Sequence, residues 1–316
     1  MPLLTRKAMR KKTTIIGAGN VGASTAQLIA KEGIADVVLY DIAEGIPQGK
    51  ALDIAEACPL WGSAVSVKGT NSYADTKDSD IVVITAGFPR KPHMSRDDLL
   101  HANADVVKAA SGAIAKTSPD AIIVVVTNPM DAMAQLAWKT TEFSCRRVMG
   151  MGGVLDAARF RAFLAWELNV SPEDIETMLL GGHGDQMVPM PRFSTVKGVP
   201  ITELMKKSRI DALIQRTRSG GAEIVHMLKS GSAYYAPAAA TFQMVKSILH
   251  DEKRMLPCAA YLNGEYGVKD LYVGVPVILG KEGVEKVVEI KLTKEEKAMF
   301  RESCASVRKL IKKLAL

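Results

Sequence analysis

Apolar residues in the first half of the chain fall into short unbroken runs. The runs TTIIG, VVLY, IVVIT and AIIVVVT occupy residues 13–17, 37–40, 81–85 and 121–127, with a shorter one at 65–67. Unbroken β-branched runs are typical of strands that are covered on both faces. Helical spacing separates the runs, for example over residues 21–31 and 46–57. Strands that alternate with helices predict βαβ units and hence a doubly wound parallel sheet.

The pattern changes after about residue 150. It predicts a long helix over residues 153–168, then polar turns, further helices and paired antiparallel strands that include residues 254–261 and 271–279. An amphipathic helix over residues 293–316 closes the chain. We therefore expect an α/β protein with a doubly wound parallel sheet over residues 10–150 and an α+β domain over residues 151–316.

Composition and charge narrow the functional classes. The 316 residues are 47% hydrophobic and 24% charged, the balance of a soluble globular protein. The net charge is +7, but +5 of it lies in the first twelve residues, so the remainder carries only +2. That distribution argues against a nucleic-acid or membrane-surface partner. The longest apolar run, residues 121–126, is too short to span a membrane.

The cysteines indicate a reducing compartment. They are four, they are scattered, and none forms a CxxC pair or a cluster with metal-ligand spacing: Cys58, Cys145, Cys258 and Cys304. The first residues also lack the apolar segment of a secretory signal. We predict a cytoplasmic protein without a bound metal.

A glycine-rich motif follows the first predicted strand. It reads Gly17, Ala18, Gly19, Asn20, Val21, Gly22, and it opens the first predicted helix. This GxGxxG context is typical of a Rossmann-type dinucleotide site, because the glycines permit a tight turn and close approach of a diphosphate to the helix N-terminus. Asp41 ends the second strand, where a carboxylate accepts hydrogen bonds from ribose hydroxyls and repels a 2′-phosphate. The carboxylate of Asp41 therefore predicts NAD rather than NADP as the cofactor.

Candidate reactive groups lie further along the chain. His183 is flanked by glycines in GGHGD, and a histidine near its ordinary pKa is the usual carrier of a hydroxyl proton. Asp156 and Arg159 share a helix face, a spacing that by itself favours an internal salt pair. Arg90 and Arg96 lie in a basic loop that could simply be solvated.

Several segments taken together resemble one family. TAGFPRKPHMSRDDLL, VTNPMDAM, GGVLDAARFR, GGHGDQMVP and GSAYYAPAA match, in order, the malate/lactate dehydrogenase family, over nearly the whole chain from about Arg10. The resemblance is to the branch of malate dehydrogenases that is similar to lactate dehydrogenase. It implies an NAD-binding Rossmann domain, a C-terminal substrate domain, and oxidation of (S)-malate to oxaloacetate and the reverse. It also implies a homo-oligomer, with a tetramer favoured over a dimer.

The resemblance also implies roles for individual residues. His183 would be the acid–base residue and Asp156 would hold its tautomer. Arg159 would bind the substrate carboxylate that is common to all 2-hydroxy acids, and Arg96 would polarise the carbonyl. The remaining implied ligands are Asn128 for the substrate, and Asn103, Val126, Thr127 and Asn128 for the cofactor.

Arg90 would select the substrate. In this family the matching position is usually Gln in lactate dehydrogenases and Arg in malate dehydrogenases. A second carboxylate on oxaloacetate would pair with Arg90, whereas pyruvate would leave the guanidinium buried and unpaired. We therefore expect strong discrimination against pyruvate.

The sequence departs from the family pattern at two places, and two alternative functions stay open. His93 stands where the family loop usually has Gly, and residues 1–8 extend beyond the usual start of the family and are expected to be disordered. One alternative is a lactate or other 2-hydroxyacid dehydrogenase. The other is an NAD-sensing or nucleic-acid-binding protein without catalysis, against which the set of His183, Asp156, Arg159 and Arg96 argues.

Overall fold

The computed structural model describes residues 10–88 and 95–316, and for Arg96 the backbone alone. The expectations for residues 1–8, Arg90 and His93, and for the Arg96 side chain, lie outside this part of the chain. The strands are β1 Lys12–Ile16, β2 Asp36–Tyr40, β3 Val67–Thr70, β4 Ile81–Ile84, β5 Ile122–Val125, β6 Val148–Gly150, β7 Ile175–Glu176, β8 Leu179–Leu180, β9 Val188–Pro189, β10 Thr195–Val196, β11 Val199–Pro200, β12 Arg254–Asn263, β13 Lys269–Gly280 and β14 Gly283–Val287. The α-helices are α1 Asn20–Glu32, α2 Ile46–Ala57, α3 Arg96–Thr117, α4 Met130–Thr141, α5 Gly153–Leu168, α6 Ile201–Leu204, α7 Lys207–Leu228, α8 Tyr235–Leu249 and α9 Lys294–Lys313.

One large sheet organises the described residues. Its order is β14-β13-β12-β6-β5-β4-β1-β2-β3, in which β1 to β6 run parallel and β12 to β14 are added antiparallel. Every residue of β4 and β5 is buried, as the unbroken β-branched runs predicted. The doubly wound parallel sheet is therefore confirmed.

The long antiparallel strands β12 to β14 of the second half belong to the large sheet and not to a separate one. β12 pairs with β6 where Ala259 faces Gly150, so the second half extends the sheet of the first. The second half also contains a small antiparallel sheet of β7, β10 and β11 and the antiparallel pair of β8 and β9. The C-terminal helix α9 begins with a capping box of Thr293 and Glu296. Its Phe300 and Val307 are buried in the hydrophobic core.

The third strand differs from its prediction. The apolar signal lies at residues 65–67, but β3 spans Val67–Thr70. Its register is set by β2, because Val37 pairs with Val67 and Tyr40 with Thr70. An edge strand with one neighbour follows its partner's length more than its own hydrophobicity.

Candidate active site

The predicted cofactor and substrate residues of the first half lie at one edge of the sheet. Parallel strands end there in Gly17 after β1, Asp41 after β2, Thr85–Phe88 after β4, and 126–128 after β5. The strand order reverses between β1 and β4, which are neighbours in the sheet. A crevice outside the carboxyl ends of the strands, at such a switch point, is where open α/β sheets bind ligands.

The glycine loop is tightly packed at Gly17 and Gly22 and open at Gly19. Gly17 has φ +108°, and a Cβ there would lie 2.6 Å from the backbone nitrogen of Ala86. A Cβ on Gly22 would lie 1.9 Å from the Gly17 carbonyl oxygen, so α1 can approach the loop only because this residue is glycine. A Cβ on Gly19 would meet no described atom within 4 Å. The open side lies at the N-terminus of α1, which carries no acid in its first turn, and this cradle fits a dinucleotide diphosphate.

Asp41 is fixed by the backbone around it. Its Oδ2 accepts a hydrogen bond from the Ala18 N–H at 2.7 Å, and its Oδ1 accepts one from the Ala43 N–H at 3.0 Å. Each carboxylate oxygen keeps a free lone pair for a ribose hydroxyl. The same negative charge would repel a 2′-phosphate.

Asn103 joins the loops that follow β4 and β5. Its side chain is buried, its Nδ2 donates to the Asn128 carbonyl oxygen at 2.7 Å, and its Oδ1 accepts from the Phe88 N–H at 2.7 Å. Thr127 adds a second link, because its hydroxyl donates to the Ala86 carbonyl oxygen at 2.7 Å. Asn103 therefore shapes this wall of the crevice through the backbone. Asn128 is exposed at the same edge, and Val126 is half-buried.

His183, Asp156 and Arg159 meet in one cluster. The His183 Nδ1 lies 2.7 Å from the Asp156 Oδ2, and the Arg159 Nη1 donates to the Asp156 Oδ1 at 3.3 Å. The Asp156 side chain is 2% exposed and that of His183 is 15% exposed. Both oxygens of the carboxylate are thus occupied by cationic or potentially cationic partners. No described residue forms a hydrogen bond with the His183 Nε2, the ring nitrogen that could exchange a proton with a ligand.

The surroundings raise the proton affinity of His183. Burial by itself lowers the pKa of this imidazole, but the charge and hydrogen bond of Asp156, together with the charge of Asp131, outweigh burial. The pKa of His183 therefore lies above its ordinary value of 6.5. A raised pKa favours the protonated imidazole, which is the form that can donate a proton to a ligand.

Asp131 is a neighbour that the sequence analysis missed. It lies in the first turn of α4, and its Oδ2 accepts a hydrogen bond from the His183 backbone N–H at 2.9 Å. Its other oxygen is buried without a hydrogen-bond partner among the described residues. Burial raises the pKa of Asp131 to about 6. The available signal was an acid inside VTNPMDAM, where the flanking positions of the helix are apolar.

Glycines give Arg159 its space. A Cβ on Gly220 of α7 would lie 3.2 Å from the Arg159 Cδ, and one on Gly221 would lie 3.8 Å from its Nη2. Gly152 likewise makes room for His183, because a Cβ there would lie 3.0 Å from the Cβ of His183. The Gly220 and Gly221 pair lies far from Arg159 in the sequence, so sequence spacing could not place it at the site.

Two properties of the described residues bear on the alternative functions. No helix in the described part of the chain is long and apolar enough to cross a membrane. Among residues 10–88 and 95–316 no group of three or more histidine, cysteine or acidic side chains is arranged to hold a metal ion.

Comparison with known proteins gives matches over nearly the whole chain. Residues 11–150 match the family "lactate/malate dehydrogenase, NAD binding domain", and residues 153–315 match "lactate/malate dehydrogenase, alpha/beta C-terminal domain". The chain is 55% identical over 299 residues to a malate dehydrogenase of Roseiflexus castenholzii, covering 95% of this chain and 97% of that protein.

Two solved structures share the fold. A malate dehydrogenase from Picrophilus torridus in its apo form has a TM-score of 0.94 and 47% identity, covering 96% of this chain and 97% of that one. A lactate dehydrogenase from Cryptosporidium parvum, solved with lactic acid and NAD, has a TM-score of 0.93 and 42% identity, with the same coverage. The fold is thus shared by proteins named malate dehydrogenase and lactate dehydrogenase.

Proposed function

The chain belongs to the lactate/malate dehydrogenase family, and from this premise we propose that it interconverts malate and oxaloacetate with NAD as its cofactor. The observation that carries the proposal is the cluster of His183, Asp156 and Arg159, joined by contacts of 2.7 and 3.3 Å. The oxidation consumes malate and NAD⁺ and yields oxaloacetate, NADH and one proton. Bound NAD⁺ supplies the acceptor for the hydride that leaves C2 of malate.

The His183 and Asp156 pair supports the proton transfer. In oxidation the unprotonated Nε2 of His183 takes the proton from the C2 hydroxyl, and the developing imidazolium is stabilised by the Asp156 carboxylate at Nδ1. In reduction the protonated ring returns the proton to the carbonyl oxygen. Because Asp156 is almost fully buried, its charge acts on the ring with little screening by water.

Arginines complete the proposed substrate site. Arg159 would bind the carboxylate next to C2 through its planar guanidinium. This guanidinium lies close to His183, because both side chains contact the carboxylate of Asp156. Arg96, at the start of α3, would polarise the carbonyl, and Asn128 would bind at the adjoining edge. The glycine loop from Gly17 to Gly22, Asp41 and the backbone at Val126 and Thr127 would hold the cofactor, with Asn103 supporting that wall.

Arg90 decides between the proposed activity and its main alternative. Oxaloacetate carries a second carboxylate that pairs with an arginine, whereas pyruvate carries a methyl group in its place. The alternative, a lactate or other 2-hydroxyacid dehydrogenase, would require this guanidinium to stay unpaired in a closed site, which is costly.

Oxidation of NADH at neutral pH with equal concentrations of oxaloacetate or pyruvate tests the proposal. We expect rapid turnover with oxaloacetate and at least a hundred-fold lower kcat/KM with pyruvate, the order of effect of an unpaired buried charge. An Arg90→Gln variant should narrow or reverse this preference. Faster turnover of pyruvate by the unaltered protein would exclude the malate assignment, and no turnover with either would favour the non-catalytic alternative.

Assembly, location and domain division form part of the proposal. We propose a homotetramer in the cytoplasm, without a nucleic-acid or membrane partner, which is supported by the family and by exposed apolar side chains on and beside α2. We also propose that residues 10–150 bind the cofactor and residues 151–316 supply the catalytic histidine and its partners. The shared sheet supports a fixed arrangement of these two parts.

A further inference from the structure

The peptide group of Ala18 is held at both ends. Its N–H donates to the Asp41 Oδ2 at 2.7 Å, and its carbonyl oxygen accepts a hydrogen bond from the Lys50 Nζ, also at 2.7 Å. Ala18 lies between Gly17 and Gly19, residues with wide backbone freedom, and it is fully buried. A carboxylate and an ammonium group therefore fix the one residue that separates the first two glycines of the loop.

Lys50 reaches the loop because of how α2 packs. A Cβ on Gly69 of β3 would lie 2.1 Å from the carbonyl oxygen of Pro47, so the absence of a side chain lets the first turn of α2 approach the sheet closely. Lys50 follows Pro47 by three residues and therefore lies on the same side of the helix. Its side chain is half-buried, so its charge is less screened than that of a fully exposed lysine.

We propose that Lys50 is a further determinant of cofactor binding, acting on the diphosphate of the dinucleotide. It has two effects on that subsite. Its hydrogen bond to the Ala18 carbonyl orients the loop whose open side lies at Gly19 and the N-terminus of α1. Its ammonium adds a full positive charge to the partial positive charge of the helix end, which favours an anion there.

The charges around the loop support this assignment. The first turn of α1 carries no acidic residue, and Asp41 directs one oxygen to the Ala18 N–H and the other to the Ala43 N–H. Lys50 thus brings a positive charge to the same peptide group that Asp41 contacts, and Asp41 keeps lone pairs that can accept from the ribose. The inference rests on NAD as the cofactor and does not depend on which 2-hydroxy acid is the substrate.

The test measures the affinity of the purified full-length protein for NADH, ADP-ribose and adenosine by calorimetry or fluorescence. For Lys50→Met we expect the Kd of NADH and of ADP-ribose to rise about ten-fold, the effect of one charge-assisted contact, and the Kd of adenosine to change less than two-fold. Lys50→Gln keeps a donor for the Ala18 carbonyl without the charge, and it should weaken diphosphate binding while retaining the melting temperature. Lys31→Met, which removes an equal charge from the exposed end of α1, is the matched control and should leave all three affinities within two-fold.

The salt dependence of NADH affinity provides a second test of the Lys50 charge. Between low and high salt, the unaltered protein should lose more NADH affinity than Lys50→Gln does, because the ammonium interaction is screened. The proposal is overturned if Lys50→Gln binds NADH as tightly as the unaltered protein. It is equally overturned if adenosine affinity falls as much as ADP-ribose affinity. No hydroxy acid is present in these measurements. Their results can therefore be interpreted even if malate is not the substrate.

Discussion

Two carboxylates set the proton affinity of His183 from different sides. Asp156 contacts the ring at Nδ1, and Asp131 accepts from the backbone N–H of the same residue. In the proposed mechanism the first contact would fix the tautomer that leaves Nε2 available to the substrate, and the second holds the backbone that carries the ring. Orientation of the ring and its basicity therefore depend on the same pair of buried acids.

The raised pKa of His183 predicts opposite pH dependences for the two directions. Malate oxidation needs the neutral ring, so its kcat/KM should fall about ten-fold per pH unit as pH drops below the pKa of His183. Oxaloacetate reduction needs the protonated ring and should fall as pH rises above that pKa. Steady-state profiles in both directions should share a midpoint above 6.5, the ordinary value. A common midpoint below 6.5 would contradict the influence that we assign to the two carboxylates.

Removal of the Asp156 charge should lower kcat itself and not only move the pH profile. In Asp156→Asn the amide can hold His183 in the wrong tautomer and cannot stabilise the imidazolium, so we expect kcat to fall by about 10²–10⁴-fold. NADH affinity should stay within two-fold, because Asp156 contacts His183 and Arg159 and lies in the second half of the chain. Equal losses of kcat and of NADH affinity would indicate a misfolded variant or a structural role instead.

Asp131 should act on the pH profile more than on the maximal rate. Asp131→Asn keeps an oxygen that can accept from the His183 N–H but removes a charge that raises the pKa of His183. The midpoint of malate oxidation should therefore move to lower pH, while kcat at high pH changes by less than about ten-fold. Asp105→Asn, an exposed acid on α3, is the control and should leave the midpoint in place. An unmoved midpoint in Asp131→Asn would show that its charge does not reach the ring.

Sequence motifs identified the residues with distinctive neighbours but missed those that act through space. His183 between glycines and Asp156 with Arg159 on one helix turn were visible from spacing, and the structure brings these three together. Asp131 and Lys50 reach the site only through the fold, since each lies more than 30 residues from the partner it contacts. Local pattern carries no information about such pairs.

At the scale of elements, the loop and helix α1 act as one unit. Gly22 faces the Gly17 carbonyl oxygen so closely that any side chain would force α1 away from β1. In Gly22→Ala we expect the free energy of unfolding to fall by about 1–3 kcal/mol, the usual cost of overpacking, and NADH binding to weaken at least ten-fold. Thermal unfolding and fluorescence titration measure the two effects.

Gly49 supplies the matched control for that substitution. It lies inside α2, and a Cβ there would meet no described atom within 4 Å. Gly49→Ala should raise the free energy of unfolding by about 0.5–1 kcal/mol, because alanine favours the helix, and should leave NADH affinity unchanged. If both variants behaved alike, the close approach of α1 to the glycine loop would not be the cause.

The elements of the sheet were predictable where hydrophobic runs were strong. Runs buried on both faces located β1, β2, β4 and β5 within a few residues, because a central parallel strand must be apolar throughout. The edge strand β3 was misplaced, since its extent follows its pairing with β2. That β12 joins β6 was also beyond reach, because the contact at Ala259 and Gly150 links residues more than 100 positions apart.

At the scale of the whole molecule, apolar side chains on and beside α2 lie exposed in the single chain. Leu52 is 61% exposed, Leu60 is 86% exposed and Ile46 is 48% exposed. Large apolar side chains exposed on one helix and the segment that follows it are typical of a contact with another protein, and a closed homo-oligomer would cover them with a second copy of the chain. Light scattering on the eluted protein should therefore give about four times the mass of one 34.0 kDa chain.

A charge in that surface tests whether α2 takes part in the assembly. Leu52→Lys should reduce the mass to that of a dimer or a single chain, because burying an unpaired ammonium costs several kcal/mol at each copy of the contact. Leu204→Lys introduces the same change at a 45% exposed leucine on α6 and should leave the mass unaltered. A single chain of the unaltered protein at micromolar concentration would exclude the oligomer, and a Leu52→Lys tetramer would move the interface away from α2. Because α2 also carries Lys50, loss of the assembly together with weaker NADH binding in Leu52→Lys would link subunit contact to the cofactor loop.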